Sequence, residues 1–339
     1  MFDIVHPSDV LFFHHPIIHF REQGDSVLIA SRKGKDVTIE LLDRLGHDHC
    51  PASTVRGGIS GLLVELLQRD AAIYRIARDF KPDVMVGFGG ICVSHVGWLR
   101  GIPSLSFYDN EIARLQMAIT MPFIKEWHVC DSFTGPVPKR RAYRFTGPHH
   151  LAFFHPERFK PDLSRAIAAG LARECDNFFV RVVDWSANHD IGKRGWSQAD
   201  VNEIVERLAA FGRVHISAEG DLPKEVEAFR YRGDVLDVHH LMAHCRACIG
   251  QSSTMAVEAA LLGVPAVYAS DDYRGVVKDL AAKGIIFEAD KDVESVMRTL
   301  GRIMQVDRAH WRTLRDRLLS NGTDVANYVI AAIERYRHR

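Results

Sequence analysis

Arg246-Ala-Cys-Ile-Gly-Gln-Ser-Ser-Thr-Met-Ala-Val-Glu-Ala-Ala-Leu-Leu-Gly-Val-Pro-Ala-Val267 reads as a strand, a small polar turn, a helix and the start of another strand. Ala247-Cys-Ile249 is an apolar run too short for a helix, Thr254–Leu262 carries helix formers, and Ala266-Val-Tyr268 resumes the extended pattern. The turn Gly250-Gln251-Ser252-Ser253-Thr254 sets hydroxyls and backbone N–H groups at a helix start. About half a positive charge resides there, which suits a diphosphate. Glu258, on the first turns, is close enough to accept hydrogen bonds from sugar hydroxyls such as those of a ribose. A Ser252 or Ser253 cap with a solvated Glu258 fits the same spacing, and spacing alone does not separate the two readings.

Outward from this segment, short apolar runs alternate with longer periodic ones. Phe2–Val5, Ser26–Ala30, Val84–Phe88, Ile102–Phe107 and Glu126–Cys130 read as strands. Helices are expected between them: one carrying Val10, Phe13, Ile17 and Phe20, one over Val37–Leu45, and a long amphipathic one over Leu62–Phe80. Between Gly135 and Pro161, Gly135, Pro136, Pro138, Gly147, Pro148, Pro156 and Pro161 mark a linker. The alternation then restarts with strands Phe178–Val183 and Arg213–Ser217 around a helix Val201–Phe211, and it is mainly helical from Asp292 to Tyr336, interrupted near Asn321-Gly322. Strands alternating with helices argue for parallel sheets of βαβ units, hence two doubly wound domains facing across a cleft, with ligands at the carboxyl ends of the strands. The expected division is 1–147, a linker 148–162, 163–322, and a C-terminal helix 323–339 that is a candidate to cross back to the first domain.

Composition narrows the class. The 339 residues are 47% hydrophobic, and 43 Lys+Arg balance 43 Asp+Glu, so no overall field draws the chain to nucleic acid or an anionic membrane. No apolar run is long enough for a transmembrane helix, and Met1-Phe-Asp-Ile-Val-His-Pro7 lacks the basic leader and apolar core of a signal peptide. Six cysteines in a chain of this length fit reduced thiols in the cytoplasm.

Other candidate groups lie at strand ends. Asp184-Trp-Ser-Ala-Asn-His-Asp190 and Gly192-Lys-Arg-Gly195 leave the first strand of the second domain, combining an aromatic plane, an imidazole and cations suited to a sugar or phosphate. Arg181, Trp185 and His189 lead this set, and Ser217 and Glu219 after the next strand are candidates for the same pocket. His239, His240 and His244 with Cys245 and Cys248 lack the converging spacing of a zinc site, so no metal is expected. In the first domain His6-Pro-Ser-Asp9 follows the first strand, while Asp109 and Glu111 follow the strand ending at Phe107. Gly57-Gly58 and Gly89-Gly90 permit close backbone approach. A dinucleotide GxGxxG is absent after every strand, which argues against a dehydrogenase.

The Gly250–Pro265 segment resembles the donor-binding motif of GT-B glycosyltransferases and of UDP-N-acetylglucosamine 2-epimerases. More closely, Val37–Asp43, Phe80–Val84, Trp185–Asp190, Asp237–Leu241 and Thr254–Pro265 are similar to a prokaryotic family of epimerase-like proteins catalogued as a domain of unknown function. The resemblance implies a GT-B α/β fold of two Rossmann-like domains and a nucleotide-sugar, a UDP-sugar first, as substrate without a further cofactor. On it Ser252, Ser253 and Thr254 would hold the diphosphate, Glu258 the ribose, and the stretch with His239 and His240 the base, with Gln251 a further substrate-binding candidate. In inverting relatives the loop after the first strand carries a general base, often a histidine where this chain has Asp9. Asp9 and His6, then Asp109 and Glu111, are therefore the catalytic candidates. A carboxylate with an ordinary pKa near 3.9 is a weak base unless burial raises it. The leading expectation is a glycosyltransferase acting on a glycan or lipid-linked acceptor, with peripheral membrane contact left open. A 2-epimerase and a non-catalytic nucleotide-sugar binder are the alternatives.

Overall fold

The computed structural model describes residues 1–34, 37–183 and 195–337, with only the backbone of Ile59. They fall into two compact units, Met1–Arg158 with Gly322–Arg339, and Phe159–Asn321. In the first unit β1 (Phe2–Ile4), β2 (Ile29–Lys33), β3 (Cys50–Thr54), β4 (Met85–Phe88), β5 (Ser104–Tyr108), β6 (Glu126–Cys130) and β7 (Ala142–Phe145) form one sheet in the order β3-β2-β1-β4-β5-β6-β7. In the second, β8 (Asp176–Val182), β9 (Gly212–Ala218), β10 (Ala247–Gly250), β11 (Ala266–Tyr268) and β12 (Ile286–Glu288) run in the order β12-β11-β10-β8-β9. Every pairing in both sheets is parallel. The order reverses between β1 and β4 in one sheet and between β8 and β10 in the other, and the carboxyl ends at such reversals are where ligands of these sheets bind.

Strands covered on both faces are dominated by apolar residues. Val86, Leu105, Phe107, Trp127 and Val129 in the first sheet, and Phe178, Val180, Ile249 and Val267 in the second, are buried. Each such side chain contributes about 1.5–3 kcal/mol. The edge strands β3, β7 and β12 carry no such run, and the sequence reading passed over them. The strand expected at Ser26–Ala30 is displaced to Ile29–Lys33, because Asp25 N bonds Phe20 O and residues after the first helix are spent on its turn.

The expected linker 148–162 is also revised. Leu151–Phe154 makes a helical turn whose Leu151, Ala152 and Phe154 are buried, packed with the helices Pro7–Glu22 and Val325–Glu334. The prolines and glycines there bound a packed element rather than a free tether. The C-terminal helix lies within the first unit: His128 Nδ1 and Tyr328 Oη are 2.8 Å apart, Tyr336 Oη donates to Glu126 Oε1 at 2.6 Å, and Arg335 Nη2 to Glu126 Oε2 at 2.5 Å.

The helix Gly58–Phe80 covers β2 and β3 with charged groups. Arg69 forms a buried ion pair with Asp3 of β1 and donates to Ser31 O (3.0 Å) and Ser53 Oγ (2.9 Å). Glu65 takes Arg32 Nε at 2.6 Å and Arg56 N at 3.0 Å. Burial works to raise the Glu65 carboxyl, but the Arg32 guanidinium and the Arg56 N–H outweigh it and hold it below its ordinary value.

Candidate functional site

In the second unit, β10 ends at Gly250 beside Arg181 of β8, and a Cβ at Gly250 would meet Arg181 O at 2.6 Å. Only glycine allows that approach. Gln251 then turns inward, buried, its Oε1 accepting Trp196 N at 3.2 Å. Ser252 is the N-cap of the helix Ser253–Leu261, its Oγ accepting Met255 N at 3.3 Å. Ser253 and Thr254 open the first turn and remain partly exposed. A helix start with hydroxyls therefore stands at the sheet's reversal point, as an anion site requires.

Glu258 is not solvated. It is 3% exposed, and its Oε2 lies 2.9 Å from His239 Nε2 on the short helix Val238–Met242. The neighbouring Cys248 thiol is pushed up to about 12, chiefly by burial and further by the Glu258 charge. At the ends of β8 and β9, Arg181 Nη1 donates to Ser217 Oγ at 2.7 Å while its other amino group pairs with Glu219. Arg181, Ser217 and Glu219 thus form one hydrogen-bonded group. His240 turns elsewhere: its Nδ1 accepts Asp162 N at 2.9 Å and its ring packs on Phe159. Burial lowers its pKa, so it is a neutral acceptor that fastens the start of the unit. Trp185 and His189 lie outside the described residues. Among the described residues no group of three or more His, Cys, Asp or Glu is arranged to hold a metal ion.

In the first unit His6 and Asp9 share one capping box at the start of the helix Pro7–Glu22. His6 is exposed and its Nδ1 accepts Ser8 N at 3.3 Å. Asp9 is 2% exposed, and its Oδ2 accepts Val5 N and His6 N, both at 3.0 Å. Burial raises the Asp9 carboxyl to about 8 against the pull of those two N–H groups, with Asp3 and Asp109 adding to the rise. Asp109, just past β5, has its Oδ2 3.4 Å from His149 Nδ1. The His149 ring packs against Phe88 and Phe12, and burial lowers it to about 3, so it is neutral. His149 was missed because it sits in the stretch read as linker; the His149-His150 doublet was the available signal. Glu111 is half-buried in the turn that follows. His14 Nδ1 faces His47 Nε2 at 2.9 Å, and Arg21 donates to His47 Nδ1 at 3.0 Å. Gly89 and Gly90, both at positive φ (76° and 58°), carry β4 into the helix Ile91–Arg100 at this sheet's own reversal point.

Comparison with solved structures decides the class of fold. UDP-GlcNAc 2-epimerase from Neisseria meningitidis bound to UDP-GlcNAc matches at TM-score 0.64 and 10% identity, over 99% of this chain and 98% of that one. The glycotransferase of kitacinnamycin matches at TM-score 0.65 and 14% identity, over 99% and 98%. The fold is GT-B. A putative UDP-N-acetylglucosamine 2-epimerase from Listeria monocytogenes shares it at TM-score 0.68 and 9% identity, over 99% of this chain and 96% of that one. Residues 1–135 match the family described as "Protein of unknown function (DUF354)". Among curated proteins, the UDP-N-acetylglucosamine–N-acetylmuramyl-(pentapeptide) pyrophosphoryl-undecaprenol N-acetylglucosamine transferase of Pediococcus pentosaceus is 20% identical over 257 residues, 68% of this chain and 67% of that protein.

Proposed function

We propose that this GT-B chain is a glycosyltransferase taking a sugar from a nucleoside diphosphate donor, a UDP-sugar, to a glycan or lipid-linked acceptor. The observation that carries the reading is the helix start Gln251–Thr254 at the β8/β10 reversal with the buried Glu258 behind it. The second unit holds the donor: first-turn N–H groups and the hydroxyls of Ser252, Ser253 and Thr254 take the diphosphate, and their partial positive charge stabilises it as the leaving group. Glu258 takes the ribose hydroxyls, held in orientation by His239. Arg181 balances between Glu219 and an incoming anion. The first unit supplies the base for the acceptor hydroxyl from Asp9, with the Asp109–His149 pair next in line. The nucleotide-sugar relatives among solved structures and the Pediococcus transferase support this class. The six cysteines are unbonded to one another, which supports a reducing, cytoplasmic place of action.

Glu258→Ala is expected to weaken UDP binding by about 1–3 kcal/mol, roughly 5- to 150-fold in Kd, the cost of stranding buried polar partners. Calorimetry with UDP reads this directly, and an unchanged Kd removes Glu258 from the ribose. Turnover is expected to survive EDTA, because the helix terminus and not a cation supplies the positive partner. Loss of turnover restored by a divalent ion overturns that. The epimerase reading is favoured by the matched epimerase structures, and incubation with UDP-GlcNAc separates the two. Acceptor-dependent UDP release supports transfer, a 2-epimer product supports epimerisation, and binding without either defeats both.

A further inference from the structure

The helix Gly58–Phe80 is inverted along its first half. Glu65 and Arg69, each 4% exposed, point inward to their ion pairs, while Leu63 and Leu67 on the opposite side are 59% and 62% exposed. A surface helix normally does the reverse. Leu63, Leu67, Ala71 and Tyr74 follow at spacings of four, four and three, so they make one outward stripe. The helix Ile91–Arg100 runs beside it and adds Trp98 and Leu99, both 63% exposed. Ala71, Tyr74, Val96 and Leu99 line a groove between the two helices, with Asp70 and Arg75 at its margin. Because the inward face is satisfied by ion pairs, the leucines cannot be explained as core residues that missed their place. A contiguous apolar face of this kind marks a contact surface.

We propose that this face lies against an anionic lipid surface, with Leu63, Leu67, Trp98 and Leu99 seated at the headgroup–acyl boundary. Charge selects this occupant. Exposed Arg75, Arg78 and Lys81 follow the stripe, and the Arg100 guanidinium sits 5.1 Å above the Tyr74 ring. Asp70 Oδ2 lies 2.7 Å from His95 Nδ1, and Asp79 and Arg78 offset one another through an Nε–Oδ1 contact of 2.8 Å, so Arg75, Lys81 and Arg100 are the cations of the margin. Exposed leucines with a Trp, a Tyr and a cationic margin are the composition of an interfacial helix surface. A second copy of the chain fits less well, since a two-fold contact brings together two copies of the same cation-rich patch. None of the described helices is long and apolar enough to cross a bilayer, so the contact is peripheral. The inference is independent of the reaction proposed above, because it uses none of the residues assigned to it.

Co-sedimentation with vesicles tests it, using phosphatidylcholine alone and an equimolar mixture with phosphatidylglycerol. The protein is expected to bind the mixed vesicles and to be released by salt. Leu63→Gln with Leu67→Gln is expected to weaken that binding roughly tenfold. Arg75→Gln with Arg100→Gln is expected to abolish the preference for phosphatidylglycerol. The thermal transition and hydrogen exchange at the amides of β1 and β2 report that the first unit of each variant is folded. If the leucine pair fails that check, Trp98→Ser carries the same test with the same expected direction. No binding of wild-type protein to mixed vesicles overturns the proposal, as does equal binding by the variants. Self-association without vesicles that the leucine changes abolish also overturns it, assigning the face to a second copy.

Discussion

Asp9→Asn is expected to lower kcat by about 10²–10⁴-fold, the usual contribution of a general base, and to leave UDP affinity nearly unchanged, because the groups proposed to hold the donor belong to the other unit. The physical reason is the environment of the carboxyl. In water it would titrate near 4 and be a poor proton acceptor; burial lifts it to about 8, close to the pH at which a base is most effective. Turnover of the wild type is accordingly expected to rise with pH up to about 8. Stability moves the other way. The folded pKa is above the unfolded one, so the stabilising contribution of the neutral carboxyl is complete below about pH 4 and is lost as pH rises through 8. Asp9→Asn fixes the neutral form and keeps one carbonyl oxygen for the cap. Its melting temperature should therefore fall less than that of the wild type between pH 6 and 9. A drop in kcat of only a few-fold removes Asp9 from the chemistry. A full loss in Asp109→Asn instead assigns the role to the Asp109–His149 pair.

Arg69→Ala is expected to destabilise the first unit by about 3–5 kcal/mol, because it leaves the Asp3 carboxylate buried without its cation. The same change strips the Ser31 carbonyl and Ser53 hydroxyl of their donor, so β1, β2 and β3 lose a common clamp. The two units need not unfold together, and hydrogen exchange at the amides of β1 and β2, set against those of β8 and β10, isolates the effect. Arg69→Met with Asp3→Leu is expected to recover much of the loss, since a well-packed apolar pair can replace a buried ion pair. A cost under about 1 kcal/mol for Arg69→Ala would show that water reaches the pair.

What the sequence told of the fold was what burial on both faces writes into it. β6 and β11 have the bounds expected of them, and β4, β5, β8 and β10 differ by a residue or two, because each carries buried apolar residues between breakers. The edge strands β3 and β7 were invisible for the opposite reason: Cys50–Thr54 and Ala142–Phe145 meet solvent and carry Pro, Ser, Tyr and Arg in place of an apolar run. In the second unit the turn before the helix was readable, since its glycine and hydroxyls are local chemistry. That Glu258 meets His239, nineteen residues away, was not, because pairing across elements has no period. Nor could the helix Gly58–Phe80 be oriented from its pattern, which is amphipathic whichever side faces in. Only the placement of Asp3 and Arg32 makes the charged side the buried one.

The return of the last helix to the first unit has a consequence for how the chain is made. The second unit, 159–321, is one unbroken stretch and can fold as soon as it has left the ribosome. The first unit begins emerging earlier but is completed later, because Glu126 waits for Arg335 and Tyr336, and His128 for Tyr328. During translation the Glu126 carboxylate and His128 imidazole on β6 stay uncovered until residues 328–336 have been made. A ribosome stalled after residue 321 should therefore present a protease-resistant second unit beside a first unit that is still open to cleavage.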